Sequence, residues 1–215
     1  MLNVIKLRLR NAYLRKTSNI RKKKIKYDDF TIISNNCWAG IIYESYNLPK
    51  LSPTVGMYFT AEEYIKFASN LKHYIEDEEL KFISPENAKH KEYYKKDKGY
   101  GTYPIGILGD VEIAFLHYHS EEEAKQKWNK RCQRVNWNRL IVKMNDQNDF
   151  SHEYAMHFTQ LPFKNKIFFT TREDCSKLEC ALVVSSRYKE CCGMFDEPYG
   201  ASKKFDVNHY VNTLE

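Results

Sequence analysis

No stretch of this chain approaches the roughly 18 consecutive apolar residues of a bilayer span, so no segment is expected to cross a membrane. The N-terminus has neither an apolar core of the right length nor a small-residue cleavage site, which argues against a signal peptide. Of the six cysteines none forms a Cys-x-x-Cys pair, and adjacent Cys191 and Cys192 fit no standard zinc spacing. The chain is expected in the cytoplasm, with reduced thiols and without a metal. The glycine spacings of phosphate-cradling loops are missing, both the Walker type and Gly-x-Gly-x-x-Gly. So is the Asp-x-Asp of metal-dependent glycosyltransferases, and no cofactor is expected. One further absence is local: residues 1–26 contain no acidic side chain.

That last absence locates the charge. The chain carries 34 basic and 28 acidic residues, net +6, and ten of the basic ones fall in residues 1–26. The rest holds 24 basic against 28 acidic side chains, net −4. The positive excess belongs to one arm, and specific nucleic-acid binding is not expected of the body. Leu2, Ile5, Leu9 and Tyr13 fall on one face of a helix that Arg21-Lys22-Lys23-Lys24 closes. Such a helix suits peripheral contact with an anionic membrane at the inner face of the cell membrane. It equally suits packing on its own domain with a solvated basic face. A length of 215 residues fits one domain with a full core. The expected division is a basic helical arm over 1–27, a single α/β domain over 28–190 and a C-terminal tail with a short helix over 191–215.

From Phe30 onward, short apolar runs alternate with helical periods. Strands are expected at 30–34, 80–83, 104–108, 111–116, 140–144, 167–170 and 181–184. Thr60 with Glu63 and Ser120 with Glu123 have the spacing of capping boxes and open two helices. Further helices are expected at 41–46 and 149–161. Residues 47–56, with Pro49 and Pro53, read as a loop. Residues 84–102, polar and rich in lysine and tyrosine, read as a mobile loop or insertion, with room for a short helix. The alternation predicts an α/β layered fold with a mostly parallel sheet flanked by helices. A hairpin around Gly109-Asp110 would make that sheet mixed.

Open α/β sheets bind ligands beyond the carboxyl ends of their strands, so the residues there are the candidates. After the first strand, Asn36, Trp38 and Gly40 lead into a helix whose free N–H groups would favour a phosphate. They would equally serve as cap and core. His117 and His119 lie two apart on an expected extended segment, which would aim both imidazoles to one side. They offer a general base, or a metal pair lacking a third ligand nearer than Asp110 or Asp146, unless His119 merely flanks the helix cap and His117 hydrogen-bonds inside the fold. Trp128, Arg131 and Arg134 fall near one helical face, a ring with two guanidinium forks suited to an anionic, partly flat ligand. Those arginines also fit ordinary surface ion pairs. Asp146, in Asp146-Gln147-Asn148-Asp149, ends a strand as a candidate base, or belongs to a turn capped by Asn148 or Asp149.

Several of these strings resemble one family when taken together: Ile32-Ile33-Ser34-Asn35-Asn36-Cys37-Trp38-Ala39-Gly40, Ser52-Pro53-Thr54-Val55-Gly56, Tyr103-Pro104-Ile105-Gly106 and Phe115-Leu116-His117-Tyr118. Glu121-Glu122-Glu123-Ala124 with Trp128 completes the set, and the likeness covers residues 28–172. The family is one of bacterial proteins without an established function that carry the label of exopolysaccharide or capsule biosynthesis. The resemblance implies a cytosolic α/β protein linked to surface-polysaccharide assembly, with no agreed catalytic residues. Together with the strand-end groups it leads us to expect a metal-independent glycosyl- or related group transferase. Its partner would be an activated sugar or another phosphate-bearing small molecule. The alternatives are a non-catalytic glycan- or nucleotide-binding assembly protein and a phosphosugar phosphotransferase or hydrolase.

Overall fold

Strands buried on both faces need a helical layer on each side, and the order of elements supplies both. The computed structural model describes residues 9–10, 12–186 and 191–214. Helical residues 12–16 lead into α1 (Ser18–Lys22), followed by β1 (Thr31–Ser34), α2 (Trp38–Ser45), α3 (Ala61–Ser69), α4 (Leu71–Glu76) and β2 (Leu80–Ile83). Then come α5 (Lys91–Tyr94), β3 (Ile105–Leu108), β4 (Val111–Ala114), α6 (Glu121–Cys132) and β5 (Leu140–Asn145). The chain ends through α7 (His152–Gln160), β6 (Lys166–Thr170), β7 (Ala181–Val183) and α8 (Val207–Asn212). No described helix is long and apolar enough to cross a membrane. Leu2 and Ile5, half of the apolar stripe expected on the arm, lie outside the described residues.

The main sheet is wholly parallel, in the order β1-β5-β6-β7. Every residue of β1 and β5 is buried. Alternation sorts their side chains into two cores. Ile33, Val142, Met144 and Phe168 face α3, α6 and α7 and meet Tyr64, Phe67, Trp128 and Phe158. Ile32, Ile141, Ile167 and Phe169 face the other way, onto Trp38, Ile42 and Tyr43 of α2 and Val207 and Val211 of α8.

The expected hairpin forms, with Leu108 opposite Val111 and Gly109 in the left-handed region at φ +60°. It does not join the parallel sheet. Instead β2, β3 and β4 make a separate antiparallel sheet, so the mixture lies between two sheets rather than within one. Residues 58 and 59 connect them: Tyr58 exchanges two backbone hydrogen bonds with Ala114, and Phe59 N donates to Asn35 O just beyond β1 at 3.1 Å.

Residues 84–102 differ from the loose loop expected. Tyr94 is fully buried and packs edge-on against Tyr58, whose hydroxyl lies 3.1 Å from that of Tyr103. The C-terminal stretch is no surface tail, since Glu197, Val207, Val211 and Leu214 are all buried. Its short helix is present, and Asn212 Nδ2 ties it to Lys24 O at 3.0 Å. Ile25 and Tyr27 therefore join α8 on the same face of the parallel sheet.

Both capping residues function. Thr60 Oγ1 accepts from Glu63 N and Ser120 Oγ from Glu123 N, each such cap being worth about 1 kcal/mol. Glu123 reaches past the N-cap Ser120 and accepts from His119 N at 3.1 Å, one residue further back than a capping box has it. Glu63 does something else with its carboxylate. It is wholly buried and accepts from Glu112 N at 2.8 Å, with His90 Nε2 at 3.0 Å and Lys89 Nζ at 3.1 Å. Burial alone would raise its pKa, but His90, the Glu112 N–H, Lys89 and Lys66 outweigh it and hold the carboxyl down at about 2.

A carboxyl held below its ordinary 4.5 stabilises the fold fully above that value and loses the contribution as pH falls toward 2. We predict a loss on the order of 3 kcal/mol across this window. Melting curves from pH 7 to below 3 should show it, and Glu63→Gln should lower stability at pH 7 while flattening the acid limb.

Candidate active site

The centre of the crevice is an ammonium where a hydrocarbon is expected. Period-2 alternation turns residue 143 to the same face as Ile141, and that residue is lysine. Lys143 is completely buried, with its Nζ 5.9 Å from the Trp38 ring and 5.7 Å from that of Phe169. Three oxygens answer its three hydrogens: Glu197 Oε1 at 2.6 Å, Asn36 Oδ1 at 3.0 Å and Asn35 Oδ1 at 3.5 Å. Glu197 is equally buried and also accepts from Asn145 Nδ2 at 2.8 Å and Asn36 Nδ2 at 3.2 Å. Burial pushes the Lys143 ammonium down and the Glu197 carboxyl up, and their mutual attraction opposes both shifts.

Around this pair, amides extend the sheet past its last backbone bond. Asn35 Oδ1 accepts from Asn145 N at 3.1 Å, and Asn35 Nδ2 donates to Asn145 Oδ1 at 2.9 Å. Gln147 Oε1 accepts from Asn145 Nδ2 at 2.9 Å. Asn148 and Asp149 both sit in the left-handed region at φ 64°. Each such residue costs roughly 1–2 kcal/mol unless, as with Asn and Asp, local hydrogen bonding offsets it. The helix α7 starts after this turn with Ser151 at its N-cap, so neither Asn148 nor Asp149 caps it as expected.

Two adjoining hollows lie above the amides, of about 430 and 390 Å³, and share Cys37, His117, Met194 and Phe195 as walls. The first is lined by Asn36, Asp97, Gln147 and Asn148. Lys50, Lys127 and Arg131 enter the second beside Gly40 and Gly56. Gly56 is needed there: at φ +87° a side chain would be strained, and its Cβ would lie 3.1 Å from the Tyr118 ring. Together the hollows make one groove with His117 in the middle, amides at one end and three cations at the other, where Lys50 pairs with Glu44 of the same wall and Lys127 with Glu123.

Of the residues singled out by sequence, the structure brings four to this groove: Asn36, Gly40, His117 and Arg131. Arg131 Nη1 donates to Val55 O at 2.9 Å and to the Tyr118 hydroxyl at 2.5 Å, which fixes the guanidinium at the wall. The others lie elsewhere. Trp38 and Trp128 are core residues, the first donating to Pro198 O at 2.7 Å and the second packed on Phe67 and Phe115. Arg134 is exposed beyond the end of α6.

Asp146 is buried and committed. Its Oδ2 accepts from Thr170 Oγ1 and Thr171 N, both at 2.8 Å, and its Oδ1 from Cys192 N at 2.5 Å. That carboxylate ties β5, β6 and the 191–197 segment together. The histidine geometry also needs correction. Strand β4 stops at Ala114, and Tyr118 N donates back to Phe115 O at 3.0 Å, so residues 115–118 form a turn. His117 and His119 therefore do not share a strand face; His119 is exposed beside the α6 cap. Asp110, at the opposite end of β4, binds Tyr74 and Lys66.

The His117 ring is exposed at one edge, yet partial withdrawal from water and the charge of Lys50 hold its pKa below the ordinary range. It stays neutral at pH 7 and can accept a proton. Cys37, in the same wall, cannot act as a thiolate, because burial and then Glu197 push its thiol up to about 12. Two clusters among the described residues bring three metal-competent side chains within 4.8 Å: Glu62, Glu63 and His90, and His152, Asp174 and Cys175. Cations already answer the acids in each, Lys66 and Lys89 in the first and Arg172 in the second.

Residues 9–212 match the family model described as Domain of unknown function (DUF1919). The chain belongs to this family. It is also 33% identical over 149 residues to a Haemophilus influenzae protein named "Uncharacterized protein". That match takes in 69% of this chain and 65% of the relative, so the chain spans less than two thirds of the relative's length. The family covers the groove, the Lys143–Glu197 pair and both terminal segments. Neither description speaks of exopolysaccharide or capsule.

Lys143, Glu197, Asn145, Lys50 and Lys127 were not picked out from the sequence as site residues. The usable signal was a lysine inside an apolar strand run. Removing one partner of the pair leaves a buried charge unanswered, which costs about 3–5 kcal/mol, whereas removing both is far milder. We therefore expect Lys143→Met to destabilise the protein strongly and Lys143→Met/Glu197→Gln to recover part of the loss. Urea titrations of the singles and the double close this cycle; additive losses would show that the two groups act independently.

Proposed function

We propose that the groove binds an activated sugar or a related phosphate-bearing small molecule, and that the protein is a metal-independent glycosyl- or related group transferase of surface-polysaccharide assembly. The observation that supports this reading is the division of one groove into a cationic and an amide end that meet at His117. Lys50, Lys127 and Arg131 suit the phosphates, since charge-assisted bonds to such oxygens are the strong ones. Asn36, Gln147 and Asn148 suit sugar hydroxyls, which need donors and acceptors side by side.

In the transfer, an acceptor hydroxyl attacks the anomeric carbon while the bond to the leaving phosphate breaks. The hydroxyl proton passes to neutral His117, and the leaving oxygen keeps the electron pair beside the three cations. The tie to exopolysaccharide or capsule assembly rests on the resemblance of the motif strings alone. A second reading, a binding protein without turnover, draws on Asp146: a candidate base whose two oxygens are both engaged in holding the strand ends.

The test is a panel of sugar nucleotides and sugar phosphates, scored for affinity and for turnover with and without acceptor. Lys127→Ala and Arg131→Ala are expected to weaken binding roughly ten- to a hundredfold, the size of a lost charge-assisted hydrogen bond. Lys127→Ala should do so at an unchanged melting temperature. His117→Ala should spare affinity and lower turnover about 10²–10⁴-fold. The parent rate should rise with pH through a pKa below 6.5 and then level off. Saturable binding without turnover selects the second reading, and a groove that binds no member of the panel ends both.

A further inference from the structure

Five large apolar side chains stand exposed among the described residues: Leu9 (66%), Tyr13 (60%), Ile20 (58%), Met156 (43%) and Phe195 (37%). Three of the five belong to the N-terminal helical segments, Leu9 and Tyr13 before Thr17 and Ile20 in α1, and the fourth on this side, Phe195, lies beneath the Arg10 guanidinium at 5.2 Å. Helical residues 12–16 and α1 meet at a turn at Thr17, where Thr17 N donates to Tyr13 O at 3.0 Å and Arg21 N to Thr17 O at 3.2 Å. Leu9, Tyr13 and Ile20 follow one another at four and seven residues, the spacing of one helical face at about 3.6 residues per turn, and all three are exposed.

The opposite face is the one that holds the protein. Leu14 and Ser18 are buried, and Arg21 Nε donates to Ser45 O at 2.7 Å. The apolar stripe is left exposed beside the domain, and exposed Lys16, Lys23 and Lys24 border it. Tyr13, Ile20 and Lys24 also line a hollow of about 560 Å³ shared with Phe195 and Lys204. Phe195 is in turn a wall of the groove described above.

We propose that this face docks the protein on an anionic lipid surface. Leu9, Tyr13 and Ile20 enter the boundary between headgroups and acyl chains, and Lys16, Lys23 and Lys24 meet the phosphates. Charge selects this occupant over the others. Residues 1–26 carry ten Lys or Arg and no acid, so a second copy would bring two sets of like charge face to face. A single nucleic-acid strand is held by aromatic platforms along a cationic groove, whereas the stripe offers one ring and two aliphatic chains. Apolar residues on one side with cations along the border are what an interfacial helix requires. The proposal stands whether or not the groove turns over a sugar.

The test uses the full chain with vesicles of phosphatidylcholine alone or mixed with phosphatidylglycerol. Co-sedimentation is expected with the mixed vesicles only, and it should weaken with salt as the Debye length shrinks to about 8 Å near physiological ionic strength. Tyr13→Asp/Ile20→Asp should reduce it at least about tenfold at an unchanged melting temperature. Lys23→Glu/Lys24→Glu, which alters only exposed side chains, should do the same, since each cation near anionic lipid counts for a factor of about five. Three outcomes overturn the proposal: no pelleting, equal pelleting with neutral vesicles, or variants that pellet like the parent. A dimer in sedimentation velocity that Ile20→Asp dissociates would assign the face to a second copy instead. Tighter binding of an oligonucleotide, lost in the lysine variant, would assign it to nucleic acid.

Discussion

One buried ion pair organises this molecule. An ammonium in the middle of a strand is tolerable only if a carboxylate and further acceptors surround it, because an isolated buried charge costs far more than a domain's margin of stability. Lys143 obtains its carboxylate from Glu197, 54 residues later, and its other acceptors from the two asparagines that follow β1. The pair thereby fastens the C-terminal segment across the strand ends. The same segment brings Trp38's bond to Pro198, Cys192's bond to Asp146, and the Met194-Phe195 wall shared by the two hollows.

The groove's two ends have different origins. Its amide end is an outgrowth of the parallel sheet, built from residues that continue β1 and β5 after their ladder stops. Its cationic end is assembled from loops and from α6, and depends on the 47–56 loop being held down. That loop is held through Thr54, whose hydroxyl accepts from Ser34 N at 3.1 Å, and through Val55, whose carbonyl receives Arg131 and Tyr118. Rigid sheet extension on one side and a pinned loop on the other is a common division of labour in α/β proteins.

The regular elements were legible in the sequence because their patterns are local. Ile32-Ile33, Leu140 to Met144 and Ile167 to Phe169 announce strands, and two capping boxes announce helices. What escaped was non-local. Nothing near Glu197 in the sequence shows that it will be buried, and the Pro- and Gly-containing stretch around it reads as surface. Lys143 was visible as an oddity inside an apolar run, but its meaning depends on a partner that alternation cannot supply. The histidines were misplaced for a smaller reason: Leu116-His117 turns without a glycine or proline, held by His117 N donating to Gly56 O at 3.0 Å. Trp128 reads as a ligand platform because large aromatics serve both roles, and burial decides for the core, as it does for Trp38, whose core reading stood open.

The span between Lys143 and Glu197 also fixes an order of assembly. While the chain is being made, β1 and β5 can find each other once residue 145 is available, yet at that moment the lysine between them faces no carboxylate. A sheet closed at that stage would trap a bare charge, so its middle stays wet until the last fifth of the chain has arrived. Closing the crevice and drying the centre of the sheet are then a single event. A ribosome-bound chain that stops short of residue 197 has no Glu197 carboxylate to set against Lys143.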